Sequence, residues 1–339
     1  MNKQLRFVSL LVNLVVLGHG LGVSGQELIS FTGPTMGTRY TITVAEGHDL
    51  VKLQKNVEAR LAEINRLMST YDPESELSQF NKYQGTDWFP VSADTVKVVQ
   101  FALQVAKKTG GAFDPTVGPA VNLWGFGPEG RRKKPPSEVE VAAVLPRIGF
   151  ENVEARSDPP ALRKQRHDVY LDLSAVAKGF AVDEISDLVA QEGCADSLVV
   201  IGGDIRARGR KPDGAFWRIG IEEPDSDGKP VSRSVNLENV AVATSGDWNN
   251  SFVHDGVRYS HVIDPQTGKP VRHKLASVTV FADTNMRADA WDTGLLVMGD
   301  ELGMAWCEER GVAAIFFIRQ KNGTILSRAS THVAKRVIP

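Results

Sequence analysis

Three short stretches carry side chains able to do chemistry on an anion. Arg287-Ala288-Asp289-Ala290-Trp291-Asp292-Thr293 reads as the opening of a helix. Asp289 and Thr293 stand four residues apart, so they share one helical face. A carboxylate and a hydroxyl there are hard oxygen donors, the kind Mg²⁺ accepts, since it takes few protein ligands and keeps waters or phosphates. A solvated helix start gives the same pattern, because the helix dipole favours acids there. Asp292, three residues beyond Asp289, could put a second carboxylate near the same place or just outside it, or could only face solvent. His261, in Tyr259-Ser260-His261-Val262-Ile263-Asp264-Pro265, could move a proton or touch a phosphate, although a lone strand histidine can equally be structural. Asp172-Leu173-Ser174-Ala175-Val176-Ala177-Lys178-Gly179 joins a strand to a helix. Its small residues let the backbone approach a ligand, a helix N-terminus favours phosphate, and Lys178 adds a positive charge. Tight strand–helix packing with a solvated lysine fits those residues as well. The apolar, glycine-rich stretch from Phe113 to Gly127 could line a flat aromatic pocket or simply fill a core.

Other chemistries lack their residues. The chain has no GxSxG elbow, no HExxH and no GxxxxGK[ST] loop, and Gly202-Gly203-Asp204 does not begin a GxGxxG run. A plain serine hydrolase or a P-loop enzyme is therefore disfavoured.

The elements that must position these residues follow from periodicity. Helical spacing runs over Val51–Ser69 (Leu53, Val57, Leu61, Ile64, Leu67) and Ala93–Thr109, the latter stopped by Gly110-Gly111. Shorter helices are expected at Ser137–Ile148, Ala177–Gln191, Arg287–Met298 and Glu301–Arg310. One or two strands are expected across Glu27–Val44, and single strands at Val169–Leu173, Ser197–Ile201, Trp217–Ile221, Ser234–Ala243, Tyr259–Ile263, Ala276–Ala282 and Val312–Ile318. Pro224–Lys229 reads as a polar turn, Gly125–Pro136 as a turn-rich basic loop, and Asp158-Pro159-Pro160 as the start of another loop. Helices and strands mix without a βαβ rhythm, so an α+β fold is expected.

Composition limits the rest. With 39 Lys+Arg against 41 Asp+Glu, the net charge is −2, which disfavours a nucleic-acid partner. Two cysteines, Cys194 and Cys307, are too few for a disulfide scaffold or a CxxC zinc site. Lys3 and Arg6 precede an apolar run from Phe7 to Gly18, followed by small residues up to Gly25. That is the pattern of an export signal over residues 1–25, cleaved or kept as an anchor, with the functional domain at 26–339. The leader holds no cysteine, which excludes lipoprotein attachment and leaves a periplasmic protein, soluble or N-terminally tethered.

The motifs share an order. Pro34-Thr35-Met36-Gly37-Thr38 is followed by Ser69-Thr70-Tyr71-Asp72-Pro73-Glu74-Ser75-Glu76-Leu77-Ser78-Gln79-Phe80-Asn81, then by the Phe113–Gly127 and Asp172–Asp183 segments. Gly202-Gly203-Asp204-Ile205-Arg206, Thr244-Ser245-Gly246-Asp247, Ser260–Gly268 and Ala288–Thr293 complete the series. Over nearly the whole chain after the leader, this resembles the FAD:protein FMN transferase (ApbE) family. The resemblance implies one α+β domain on a mainly antiparallel sheet with flanking helices and FAD in a central cleft. It implies Mg²⁺-dependent transfer of the FMN moiety of FAD to a Thr or Ser hydroxyl of an acceptor flavoprotein, giving a phosphoester and AMP. Acceptors of the family are subunits of membrane electron-transport complexes and related flavoproteins. By the same resemblance His261 and Asp289 are the catalytic residues, and Asp289, Thr293 and the backbone of Ala175 the metal ligands. Met36, Tyr71, Ala112, Phe113, Asp114, Asp172, Lys178, Gly203, Asp204, Thr244, Ser245 and Ile263 match positions that line the FAD cleft. The same cleft could serve FAD hydrolysis to FMN and AMP, or non-catalytic FAD carriage.

Overall fold

The computed structural model describes residues 27–221, 223–224, 233–247 and 250–338. The expected leader lies outside these residues, as does most of the polar turn at 224–229. An eight-stranded sheet organises the molecule: Leu28–Thr35, Thr38–Ala45, Ser197–Ile201, Asp204–Arg208, Val240–Gly246, Leu275–Ala282, Ala313–Arg319 and Ile325–Ala329. The strands lie side by side in chain order and every neighbouring pair is antiparallel. The expected α+β architecture on a mainly antiparallel sheet is therefore present.

Strand alternation separates two cores. Ala314, Phe316 and Ile318 face the helix Asn285–Arg310, whereas Ala313, Ile315 and Phe317 face the hairpin Trp217–Ile221/Arg233–Leu237 on the other side. Helices Leu50–Met68, Ala93–Lys108 and Ala177–Gln191 cover the same face as Asn285–Arg310 at the Tyr40, Ile42 and Val44 end. In the first of these, Leu53, Val57, Leu61 and Ile64 are buried as their spacing predicts; Met68 is buried rather than Leu67. Its N-cap is Asp49, and Ser92 and Ser137 cap the helices that follow them. A satellite core of Ala120, Trp124, Val141, Val144, Tyr259 and Ile263 holds the short helices Gly118–Leu123 and Glu138–Val144 against two small hairpins.

Several expected elements differ. Val169–Leu173 is extended but joins no sheet. Its backbone is met by side chains instead: Asn81 accepts from Leu171 N and donates to Leu171 O (2.8 Å each), and Lys164 Nζ donates to Val169 O (3.5 Å). Asp158-Pro159-Pro160 is no loop start but the turn between strands Val153–Ser157 and Pro160–Lys164. Ser234–Ala243 divides at Asn239 (φ 54°) into strands of two different sheets. Tyr259–Ile263 divides likewise: Val257–Ser260 pairs with Ser251–His254, and Ile263–Asp264 with Lys269–Pro270. The two helices expected near the C-terminus are both present: Asn285–Arg310 is divided at Gly299, whose backbone (φ 80°) is non-helical. Cys194 and Cys307 are buried and unpaired. Among the described residues no helix is long and apolar enough to cross a membrane.

Candidate active site

One end of the sheet collects the expected residues. Two tight hairpin turns lie there, Met36-Gly37 (φ 46° and 71°) and Gly202-Gly203 (φ 57° and 96°). Two-residue hairpins favour positive φ because it matches the strand twist. Gly supplies it freely, while Met36 adopts it at a cost that often marks a functional position. Gly202 N donates to Arg39 O (3.0 Å), which locks the turns side by side. The second turn sets Asp204 at the start of its strand, buried. Thr244 and Ser245 run past it on the next strand, with Thr244 Oγ1 2.9 Å from Thr279 Oγ1.

Two helices close over this end. Gly179 is their point of contact: a Cβ there would stand 2.5 Å from Asn285 O and 2.7 Å from Met286 Cα. Only glycine permits that approach, and it lets Gly179 N donate to Asp289 Oδ2 (2.8 Å). Lys178 is thereby brought onto Asp204, which it pairs with closely, and its Nζ lies 3.4 Å from Asp289 Oδ1. Ser245 Oγ donates to Asp292 Oδ1 (2.8 Å) and lies 3.1 Å from Thr293 Oγ1. Residues remote in sequence thus form one cluster: Asp204, Asp289 and Asp292 are buried, with Lys178, Ser245 and Thr293 half-buried beside them.

The cluster holds more negative than positive charge. Burial opposes the Lys178 charge, but Asp204, Asp289 and Asp292 outweigh it and hold the ammonium above its ordinary value. Burial, then the Asp289 charge against the pull of Lys178, raises Asp204 to about 7. Burial and the charges of Asp289 and Asp204 push Asp292 well above the usual carboxylate range. Asp292 Oδ2 is buried and has no hydrogen-bond partner. Three carboxylates around one lysine, with a buried orphan oxygen, fit a divalent cation better than they fit each other. No group of three His, Cys, Asp or Glu among the described residues could hold a metal alone. A cation would therefore also draw on the Thr293 hydroxyl, which lies by Ser245 Oγ in the same cluster. Such a mixed oxygen set suits Mg²⁺.

The remaining expected residues are held by contacts of their own. Phe113 packs at Gly294, beside Thr293, where a Cβ would lie 3.3 Å from Phe113 Cβ; Ala112 precedes it, half-buried. Asp114 is committed to the fold. Its oxygens accept from Thr116 N and Oγ1 and from Phe150 N, while burial raises its carboxyl against those donors. Asp172 N donates to Pro115 O (2.7 Å), and Asp172 Oδ1 accepts from Ser174 N, which shapes the Ala175 turn. Tyr71 is 68% exposed, unusual for a ring, and its hydroxyl donates to Phe126 O (3.3 Å). The Phe126 ring meets His261 edge to face at 6.4 Å. Ile263 is buried in the satellite core two residues beyond His261.

His261 continues the ladder of the hairpin Ser251–His254/Val257–Ser260: its backbone N donates to Asn250 O, and its Nδ1 lies 3.1 Å from the same oxygen. A carbonyl can only accept, so Nδ1 carries the proton and Nε2 is the basic nitrogen. Burial lowers the imidazole below its ordinary value, against the Asn250 carbonyl and the Asp247 charge. Asp247 is itself held by both Nη atoms of Arg319 at 2.7 Å. Residue spacing did not single out Asn81, Gly179 or Phe126; their roles depend on partners remote in sequence.

Comparison with known proteins identifies the family and the fold. The sequence profile of the ApbE family matches residues 36–316. An FAD:protein FMN transferase of Vibrio cholerae is 42% identical over 91% of this chain and 94% of its own length. One of Escherichia coli K12 is 38% identical over 87% and 85%. The solved flavin transferase ApbE of Vibrio cholerae superposes with a TM-score of 0.85 at 40% identity, covering 92% of this chain and 99% of that one. The flavinyl transferase ApbE of Pseudomonas stutzeri, in its apo form, gives 0.85 at 36% over 93% and 98%. With its fold and its sequence in agreement, this chain belongs to the ApbE family.

Proposed function

We infer that the chain is an FAD:protein FMN transferase that moves the FMN moiety of FAD to a Thr or Ser hydroxyl of an acceptor flavoprotein. The observation that carries this reading is the oxygen cluster of Asp289, Asp292, Thr293 and Ser245 at the sheet end, beside Lys178 and Asp204. Relatives across nine-tenths of the chain carry the same activity in their names. Tyr71 presents its exposed ring for the flavin, a contact aromatic rings make well. Met36, Gly203 and Thr244 line the sheet end, and the Asp172–Ala175 turn the opposite wall. His261 Nε2 takes the proton from the acceptor hydroxyl as its oxygen attacks the FMN-side phosphorus. A phosphoester bond forms, the pyrophosphate P–O bond breaks, and AMP leaves. Mg²⁺, held by Asp289, Thr293 and the Ala175 carbonyl with Asp292 beside them, would supply charge neutralisation for the pyrophosphate when bound.

The leader at 1–25 supports export to the periplasm, with the transferase domain at 26–339, where acceptors would be subunits of membrane electron-transport complexes. The test is incubation of the mature chain with FAD, Mg²⁺ and a purified acceptor domain, followed by a denaturing gel. Ultraviolet fluorescence on the acceptor band is the expected result. Free FMN and AMP without a fluorescent band would mean hydrolysis instead, and unchanged FAD would mean carriage.

A further inference from the structure

The basic loop expected at Gly125–Pro136 has a fixed shape and three unused charges. Gly125 (φ 78°) turns so sharply that a Cβ would stand 2.2 Å from Arg132 N. Arg132 folds inward, its Nη1 donating to Leu123 O (3.1 Å) and its Nη2 to Glu140 Oε1 (2.9 Å). Arg131, Lys133 and Lys134 flank it in the chain. All three are exposed, and none has an ion pair among the described residues. The nearby acids are engaged elsewhere: Glu129 with Asn122, Glu138 with Lys269, and Glu140 with Arg132 and Ser137.

This loop is continuous with the site. Its Phe126 supplies the carbonyl to Tyr71 and the ring edge to His261. Arg131 is close enough to Tyr71 for its charge to act on that hydroxyl. In a chain of net charge −2, three exposed cations in one loop, with Arg131 near the Tyr71 ring, are a local feature. We propose that Arg131, Lys133 and Lys134 form the docking surface for the acceptor protein, which meets them with an acidic segment next to the hydroxyl that receives FMN. This rests on the transferase reading. Rim cations of this kind steer a charged partner and raise its on-rate, with strong dependence on salt. Three charges are fewer than the four to eight that anionic membrane surfaces usually require, so a protein partner is favoured over a lipid surface.

The test compares the full mature chain with its Lys133→Glu/Lys134→Glu variant, using an acceptor domain that the wild type makes fluorescent. The KM for the acceptor should rise at least about tenfold and lose most of its salt dependence, since reversed rim charges repel an acidic partner. FAD affinity, kcat and thermal midpoint should stay as in the wild type. Changing an acidic residue beside the target hydroxyl to Lys should restore part of the variant's KM. An unchanged acceptor KM would overturn the proposal. So would an equal loss of FAD affinity, which would assign the loop to the FAD phosphates. Loss of binding to phosphatidylglycerol vesicles with the acceptor KM unchanged would assign it to membrane. Failure of the wild type to label any acceptor, with FAD split to FMN and AMP, would instead remove the transferase reading and this proposal with it.

Discussion

Gly179→Ala probes the contact on which the site depends. The new Cβ would stand 2.5 Å from Asn285 O and 2.7 Å from both Asn285 C and Met286 Cα. These are backbone atoms of the opposing helix, so no side-chain rotation relieves the clash. Ordinary contact requires the helix Ala177–Gln191 to withdraw by about 1 Å. That stretches the Gly179 N to Asp289 Oδ2 bond, now 2.8 Å, beyond hydrogen-bond reach. Overpacking a tight core costs about 1–3 kcal/mol. A lost hydrogen bond to a charged group costs about 1.5–3 kcal/mol. The two overlap, because withdrawal relieves part of the clash, so a net loss of about 2–5 kcal/mol is expected. For a chain of this size that lowers the thermal midpoint by roughly 3–8 °C. Asp289 also loses its anchor, so transfer should fall by more than the lost fraction folded explains. Thermal melts and initial transfer rates on the same preparation check both. A midpoint within about 1 °C of wild type, with transfer unchanged, would refute the claim that this crossing builds the site.

Other outcomes follow from the same geometry. His261→Ala should lower transfer about 10²–10⁴-fold, the usual weight of a general base, with FAD affinity retained; full transfer by this variant would remove the base role. Because burial lowers the His261 pKa, activity should persist below pH 6.5 before its acid limb begins, which a pH–rate profile reads. The sign for stability is set by the same shift. Between the lowered folded value and 6.5 the unfolded chain binds more protons, so this group weakens folding as pH falls through that window. Asn81→Ala should cost about 2–4 kcal/mol by urea unfolding, since it leaves Leu171 N and O unpartnered. It should also weaken FAD binding through the displaced Asp172–Ala175 turn; unchanged FAD affinity would count against that turn as a cleft wall. Mg²⁺ with FAD should raise the thermal midpoint of the wild type but not of Asp289→Asn, and chelation should abolish transfer in both; an equal midpoint rise in the variant would place the metal elsewhere.

Sequence pattern revealed those parts of the fold whose partners are near in the chain. The i, i+4 face of Asp289 and Thr293 and the glycine pair at 202–203 are local facts, and both appear in place. Helix periods such as Leu53, Val57, Leu61 and Ile64 are local too. What could not be read is set by remote contacts. Val169–Leu173 has the composition of a strand, yet Asn81, ninety residues away, takes the place of a neighbouring strand. Lys164 looks like a solvated lysine but is fully buried, with its ammonium on the carbonyls of Phe80 and Asn81. Burial, against the charge of Asp168, pushes its pKa down to about 8. The resemblance puts Asp114 in the cleft, and the structure adds partners no local pattern shows: its oxygens accept from Thr116 and from Phe150, thirty-six residues on. Ser245 and Asp292 are 47 positions apart, and only the antiparallel order of the sheet brings the hydroxyl under the helix.

The central claim is that metal, pyrophosphate and His261 meet at the sheet end closed by the helices Ala177–Gln191 and Asn285–Arg310. A crystal structure of the chain with FAD and Mn²⁺, its anomalous signal located, tests this most directly. The signal should be bounded by Asp289, Thr293 and the Ala175 carbonyl, with the FAD pyrophosphate against it, the flavin on Tyr71 and His261 Nε2 facing the FMN-side phosphorus. Manganese bound elsewhere, or FAD lodged away from an undisturbed Lys178–Asp289 contact, would contradict the account.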